Sequence, residues 1–521
     1  VLKYFLLFIN VSFLLDGFSQ TPFKEVIKPF VSEDVIFPSE YLTKDILFIG
    51  NHDVITNMEG KVAAAKQDHD FTGYIAIDGR SDSGFVIVNH EHIIADDVLG
   101  DGGGMTVFTA YKDKTTGRWQ VANHPNGKFR NVDFSEVGGT ITNCGGIQTP
   151  WGTVLTAEEN LYRQNLSIYK EGMGIRDTSD FLVKEFNGEV INQWIPKNHN
   201  YSWMVEVDVL NAKAIRKHYE MGRYGHEAGV ALKDKKSVFL TDDTTPGFIF
   251  KFVAENAEDL SKGQLYVYKQ NTNGVGGSWL AMPMILDSLI LARETAASLG
   301  ATMFIRTEWA EEIDGKIYFT ETGNDDSGEE LLSFKEKGAT LSKHLYDLDA
   351  ADGSQDYRIH DYYGRILTMD METGHLEVFL EGGGNANKKH LANPDCLAHI
   401  TYGEKTYLVI HEDLNNFSHG RVPSGVQRRV NEIWWLDMSI ENPTVNNLKR
   451  FLIGPIGCET TGGRFTPDGD TYFLNIQHPD EENAFPYNNS VTIAISGFID
   501  AMEKANNLPE KSKKRCKKKK G

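Results

Sequence analysis

Long apolar runs are almost missing from this chain. Of its 521 residues only Tyr4 to Leu15 forms a sustained apolar stretch, and a bilayer span needs about 20 residues. A helical membrane bundle is therefore excluded. One lysine ahead of that stretch, and small residues at Gly17 and Ser19 before Gln20, give it the pattern of a secretory leader. Residues 1–19 are expected to be cleaved, which makes the mature protein periplasmic or secreted. Cysteine is scarce as well. Four residues, Cys144, Cys396, Cys458 and Cys516, are too few for a disulfide scaffold in an exported protein, and a Cys396–Cys458 pairing stays open.

Basic residues are outnumbered, with 53 Lys and Arg against 73 Asp and Glu and a net charge of −20. Eight of the basic residues crowd into the last eleven positions, KSKKRCKKKKG, which leaves the body more acidic still. Such a surface repels nucleic acid, so any phosphate site must be locally reversed by cations or arginine. Helical spacing is rare. Ser288 to Gly300 predicts one helix with Gly300 as its C-cap, and Asn211 to Glu220 a shorter one. Proline is also sparse, at 16 residues against 49 glycines, and the chain reads as a turn-rich β protein.

What is present is a repeated hairpin. Asn143 to Asn160, NCGGIQTPWGTVLTAEEN, carries Cys144 into a short apolar segment and a Pro-Trp-Gly turn. The alternating run Thr153 to Thr156 then returns Glu158 and Glu159 beside the start. The plan recurs: Glu227 in GHEAGVAL precedes KSVFLTDD, Glu308 in RTEWAEEI precedes DGKIYFTE, and Asp395 in NPDCLAHI precedes KTYLVIHED. Glu459 in GCETTGGRF precedes DGDTYFLNIQH, and an earlier partial copy, TGYIAIDGRSDSGFVIVNHE, ends at Glu91. Outer strands follow, as at Val107 to Val121 and at Gln264 to Leu280. Six inner strands ending in polar or acidic residues predict an all-β fold, a six-bladed β-propeller with long insertions between blades and a few helices. Its organisation is a leader at 1–19, a lead-in at 20–66 whose run Asp45 to Ile49 pairs as a closing strand, a single propeller at 67–507, and a basic tail at 508–521.

In such a fold the start of the first strand and the end of the second share one face, which gathers Cys144, Glu227, Glu308, Asp395 and Glu459 with the strand-end acids around the channel mouth. Carboxylates so crowded raise one another's pKa and call for cations. Oxygen ligands suit calcium or magnesium and a thiolate suits a softer metal, so more than one kind of ion is implied. The alternative is that these acids only cap strand ends or stiffen the fold. His226 reads equally as an orienter of Glu227 or as a core histidine. The loop Gly100-Asp101-Gly102-Gly103-Gly104 lacks the lysine and helix of a phosphate loop and reads as a turn.

The segments NCGGIQTPWGTVLTAEEN, VNHE, GHEAG, RTEW and GCETTGGRFTPDGDTYFLNIQHP resemble, in order and over nearly the whole mature chain, the PhoX-type alkaline phosphatases. The resemblance implies hydrolysis of phosphate monoesters outside the cytoplasm at a site of two iron ions and several calcium ions. It makes Cys144 an iron ligand, Glu227, Glu308 and Glu459 acidic metal ligands, and Arg306 the phosphate holder. Glu91, Glu159 and Asp395 match further acidic positions of the metal site. Metal-assisted hydrolysis would then have the cations and Arg306 neutralise charge on the phosphoryl oxygens. A small phosphate ester is the expected partner, and a monomer the expected state. Three departures stand out: Ala157 where the family commonly has cysteine, Gly225 where it commonly has lysine, and a leader without twin arginines. Another calcium-dependent propeller hydrolase, lactonase-like or phytase-like, and a secreted binding propeller are the competing readings.

Overall fold

The computed structural model describes residues 23–507 apart from 28–30, 162–173, 176, 354–356, 385–389 and 415–429. The leader and the basic tail lie outside the described residues. Six sheets of four or more strands stand in sequence order around one axis. Their first strands, His69–Ala76, Asn143–Gln148, His226–Ala231, Thr307–Ile313, Pro394–Tyr402 and Glu459–Phe465, each touch the next, and the last touches the first. The all-β propeller expected from the repeated hairpin is present. Each blade is sandwiched between two others, so strands inside it have no solvent face. Glu432–Asp437 and Val491–Ser496 are accordingly buried at every position, and read as nearly continuous apolar runs instead of alternating ones.

The ring is closed by the chain's own beginning. Thr43–Ile49 pairs antiparallel with Val491–Ser496 at the outer edge of the last blade, as the Asp45 to Ile49 run predicted. The outer hairpin read at Val107 to Val121 is also found, with Met105–Lys112 paired to Trp119–Val121. So is the later one, Asp259–Gln270 with Gly277–Ala281. Among the described residues no helix is long and apolar enough to cross a membrane.

Two helix expectations change. Ser288 to Gly300 is two short helices, Leu286–Ile290 and Ala292–Ser298, broken at Leu291, whose ψ of 42° is not helical. Gly300, at φ +80°, still ends the second. Asn211 to Glu220 is no helix. Its Lys213–His218 is a strand paired with Met204–Asp208, because Ala214, Lys217 and His218 gain burial there that a surface helix would not give. The glycine-rich loop is a structured turn: Lys66, fully buried, donates to the carbonyls of Asp101 (2.5 Å), Gly102 (2.7 Å) and Gly103 (2.5 Å). Those oxygens cradle an ammonium, the reverse of a phosphate nest. Cys396 and Cys458 are both free thiols.

Candidate metal centre

Register explains how the ring is built. In the first blade His69 pairs with His90, but the next pair is Thr72 with Val88, so Asp70 and Phe71 together face Asn89. The same one-residue bulge recurs at Cys144-Gly145, Glu227-Ala228, Glu308-Trp309 and Asp395-Cys396. A bulge bends the strand and re-aims its side chains. In each of these five blades its first residue is an acid or the thiol that the repeat singled out, or Asp70 in the same place. The sixth blade keeps Glu459 at the strand start and puts its bulge later, at Gly462-Gly463. Phe71 and Trp309, second residues of two bulges, stack at 6.4 Å beneath the ring. They line the floor of a cavity of about 500 Å³ that opens on the channel's other side.

The paired acids that end the second strands divide their roles. Glu158, Asp242, Glu321 and Glu412 turn into their blades as caps. Glu158 accepts from the Ile141 N–H (3.1 Å) and the Lys217 ammonium (3.0 Å), and Asp242 from the Phe248 N–H (3.2 Å) and the Thr244 hydroxyl (2.8 Å). Glu321 accepts from the Ile305 N–H (3.1 Å) and Arg365 (2.7 Å), and Glu412 from the N–H groups of Ala392 (3.1 Å) and Glu432 (3.0 Å). These four do not enter the ring as the hairpin pattern had them doing. The residues just after three of them do: Glu159, Asp243 and Asp413 take the channel side.

Cys144, 6% exposed, sets its Sγ 3.2 Å from Asp70 Oδ2 and 3.1 Å from Glu227 Oε1. Ligand atoms of Asp70, Glu91 and Cys144 lie within 4.8 Å of one another, and so do those of Cys144, Glu159 and Glu227. Glu159 shares a hydrogen bond with Glu91, and Asp395 one with Glu308. Arg306 reaches Glu308 (2.5 Å), Asp243 (2.8 Å) and Asp413 (3.0 Å). Every site residue named from the sequence, Glu91, Cys144, Glu159, Glu227, Arg306, Glu308, Asp395 and Glu459, is thus at or beside one channel mouth. Asp70, Asp243 and Asp413 belong with them. Asp70 escaped the sequence reading, which began the first repeat at Thr72, yet His69-Asp70 has the form of Asn143-Cys144, His226-Glu227 and Thr307-Glu308. Histidine 226 faces the other way: its ring stacks on Tyr224 and contacts the Gly222 carbonyl at 2.8 Å, so it is a core histidine.

The electrostatics of so many acids are unfavourable without cations. Burial, then the charges of Asp395 and Glu91, pushes the Asp70 carboxyl well up; burial, then Asp70 and Glu159, does the same to Glu227. Glu459 is raised by burial and by Asp413, and Asp395 is pushed up to about 6, chiefly by burial. Burial and the neighbouring Asp70 and Glu227 raise the Cys144 thiol. Burial opposes the Arg306 charge, but Asp243, Glu308 and Asp413 outweigh it and hold the guanidinium protonated. Three buried oxygens, Asp70 Oδ1, Glu159 Oε2 and Asp395 Oδ1, have no hydrogen-bond partner among the described residues. A thiol among buried, partly orphaned carboxylates is a donor set suited to metal ions of mixed softness.

Fold and site together define a propeller whose channel mouth carries a candidate metal-binding cluster. Residues 122–480 match the family described as alkaline phosphatase PhoX, and the chain belongs to that family. Among solved structures, Pseudomonas fluorescens PhoX in complex with vanadate, a transition state analogue, is similar at TM-score 0.65 and 20% identity, covering 92% of this chain and 98% of that one. Trypanosoma rangeli sialidase in complex with the inhibitor DANA aligns at TM-score 0.39 and 9% identity over 90% of this chain and 62% of its own. No curated protein matches by sequence.

Proposed function

We propose that this protein is a metal-dependent alkaline phosphatase that hydrolyses small phosphate monoesters, with the mixed thiol and carboxylate ring as its metal centre. The observation that carries the reading is the ring itself, set in a chain of the alkaline phosphatase PhoX family. Asp70, Glu91, Cys144, Glu159 and Glu227 would hold ions on one side, and Glu308, Asp395 and Glu459 on the other. We assign a softer metal, iron, to the Cys144 side and calcium to positions offering only oxygen. Bound cations would activate water and offset negative charge on the phosphoryl group.

The chain's own residues do the rest. Arg306 is a cation built into the mouth, and its planar fork of donors fits two phosphoryl oxygens. Asp243 and Asp413 fix that fork from both sides and keep it charged. Phe71 and Trp309 stack beneath the ring, and substrate would enter and phosphate leave by the mouth above it. Elemental analysis and a phosphomonoesterase assay on one sample test the reading. Iron and calcium with alkaline phosphatase activity are expected, whereas activity with calcium alone, or bound metal with no activity, would overturn it.

A further inference from the structure

The residues opposite the bulges do more than pair strands. Asn89 faces Asp70-Phe71 in its own blade, yet its amide donates across the blade boundary to the carbonyls of Cys144 (2.8 Å) and Gly145 (2.7 Å), the bulge of the next blade. Thr241 faces Glu227-Ala228 and accepts the Ala228 N–H at 3.1 Å. Its hydroxyl lies 2.6 Å from the Glu308 carbonyl in the following blade. His411 faces Asp395-Cys396, and its Nδ1 sits 2.9 Å from the Thr460 carbonyl of the blade after it. The Thr460 carbonyl can only accept, so Nδ1 carries the proton and donates, and the Tyr472 hydroxyl donates to His411 Nε2 at 2.6 Å. All three side chains are fully buried.

We propose that Asn89, Thr241 and His411 are positioning residues, each handing one blade's hydrogen bond to the ligand-bearing segment of the next. Strand pairing cannot set those segments, since a bulge is by definition where the ladder is interrupted and its extra residue unpaired. Without another restraint Cys144 and Glu308 would be free to swing by the fraction of an ångström that metal geometry does not tolerate. The donors supply it, and they tie the spacing between neighbouring ligands to the closure of the propeller. The second blade has no such donor, because Ala157 stands opposite Cys144-Gly145. There Gly145 approaches the Glu227 backbone so closely that an added Cβ would lie 2.1 Å from its carbonyl oxygen, and backbone contact replaces the side-chain bond.

The inference rests on the ring being a metal centre, and the test separates the two. Thr241→Val keeps the shape and removes the donor, Thr241→Ser keeps the donor, and Asn89→Leu removes both amide bonds at similar volume. Metal content after dialysis, the thiolate-to-metal absorption band, kcat/KM and Tm are measured on each purified full-length protein. Thr241→Val should bind metal roughly 10-fold to 100-fold more weakly, Thr241→Ser should stay within a few fold of wild type, and Asn89→Leu should shift the absorption band. Equal loss in the valine and serine variants, or lowered Tm with metal affinity and band unchanged, would make these residues structural only and sink the proposal. A wild-type protein that takes up no metal would remove the metal centre itself, and the positioning role with it.

Discussion

Arg306 reaches its place by an unexpected route. Its spacing from Glu308 suggests two side chains on one face of a strand, but the strand starts at Thr307, and Arg306 precedes it at φ +53°. A non-glycine residue held in the left-handed region costs about 1–2 kcal/mol, and such strain persists where the surroundings impose it. Here the Arg306 N–H bonds the Thr244 carbonyl (3.1 Å) and its carbonyl accepts from Thr322 (2.8 Å), which pins the turn. The guanidinium then meets Glu308 at 2.5 Å all the same. Arg306→Lys keeps the charge and loses the fork, so kcat/KM for a phosphate monoester should fall roughly 10-fold to 1000-fold, with metal content unchanged. Inhibition by free phosphate should weaken in parallel. If neither moves, Arg306 serves only as a counterion to the ring. Cys144→Ser should instead lose the softer metal and most of the activity while Tm of the metal-free protein stays near wild type, since a hydroxyl is a poor soft-metal ligand. Retained iron and retained rate would show the thiol to be packing.

At the scale of the hairpin, the ring depends on close backbone approach as much as on ligands. Gly225 is the case in point: a Cβ there would lie 2.8 Å from Thr244 Cγ2, 3.0 Å from the Glu159 carbonyl and 3.1 Å from the Asp243 carbonyl. Gly225→Ala should therefore cost about 1–3 kcal/mol by overpacking, and should displace Glu227 two residues on, lowering metal content as well as Tm. An unchanged Tm would mean the neighbours yield freely. A side chain as long as lysine at this place is thus incompatible with the local packing of this chain. The same hairpins show what a sequence can and cannot tell. Propeller class was legible because every blade after the first restarts at an acid or the thiol, and the second strands of all but the last return to an acid. Asp70, in the first blade, was not legible because its repeat reads as beginning only at Thr72. Which member of Glu158-Glu159 or Asp242-Asp243 faces the channel was not legible, since both are buried or nearly so and only the partner N–H groups decide. The bulges were invisible for a related reason: they are defined by pairing between strands, not by the pattern within one. Lys213–His218 was misread because its neighbours in space, not its own propensity, make it a strand.

For the whole molecule, the excess of acid becomes a statement about pH once metal is removed. A carboxyl whose folded pKa lies above its unfolded value keeps a proton in the folded chain that the unfolded chain has already released. Its contribution to stability is full below the unfolded value, about 4, and is lost as pH rises through the folded value. Asp395, raised to about 6, acts across the lower part of that range, and Asp70, Glu159, Glu227, Glu308 and Glu459 extend it upward. Buried histidines work against them at first. His69 and His226, pushed by burial to about 3, and His411, to about 4, are neutral in the folded chain and charged in the unfolded one, so they add stability as pH rises toward about 6.5. Above that they drop out. Lys66, lowered by burial to about 7, then opposes the acids with one proton, while His478, held up to about 10 by Asp68 and Glu91 against burial, acts with them. Lys197, Lys217 and Lys251 are lowered by burial as well, but the carboxyls and His478 together outnumber the lysines, each differing proton being worth about 1.4 kcal/mol per pH unit. Chelated protein should therefore melt at progressively lower temperature from about pH 6.5 to pH 9, and metal-loaded protein, its carboxylates neutralised by cations, should not. Thermal melts of both forms across that range check it. A chelated protein whose Tm stays flat or rises would mean that the buried acids are compensated within the chain, and that the ring does not require metal to hold its charge.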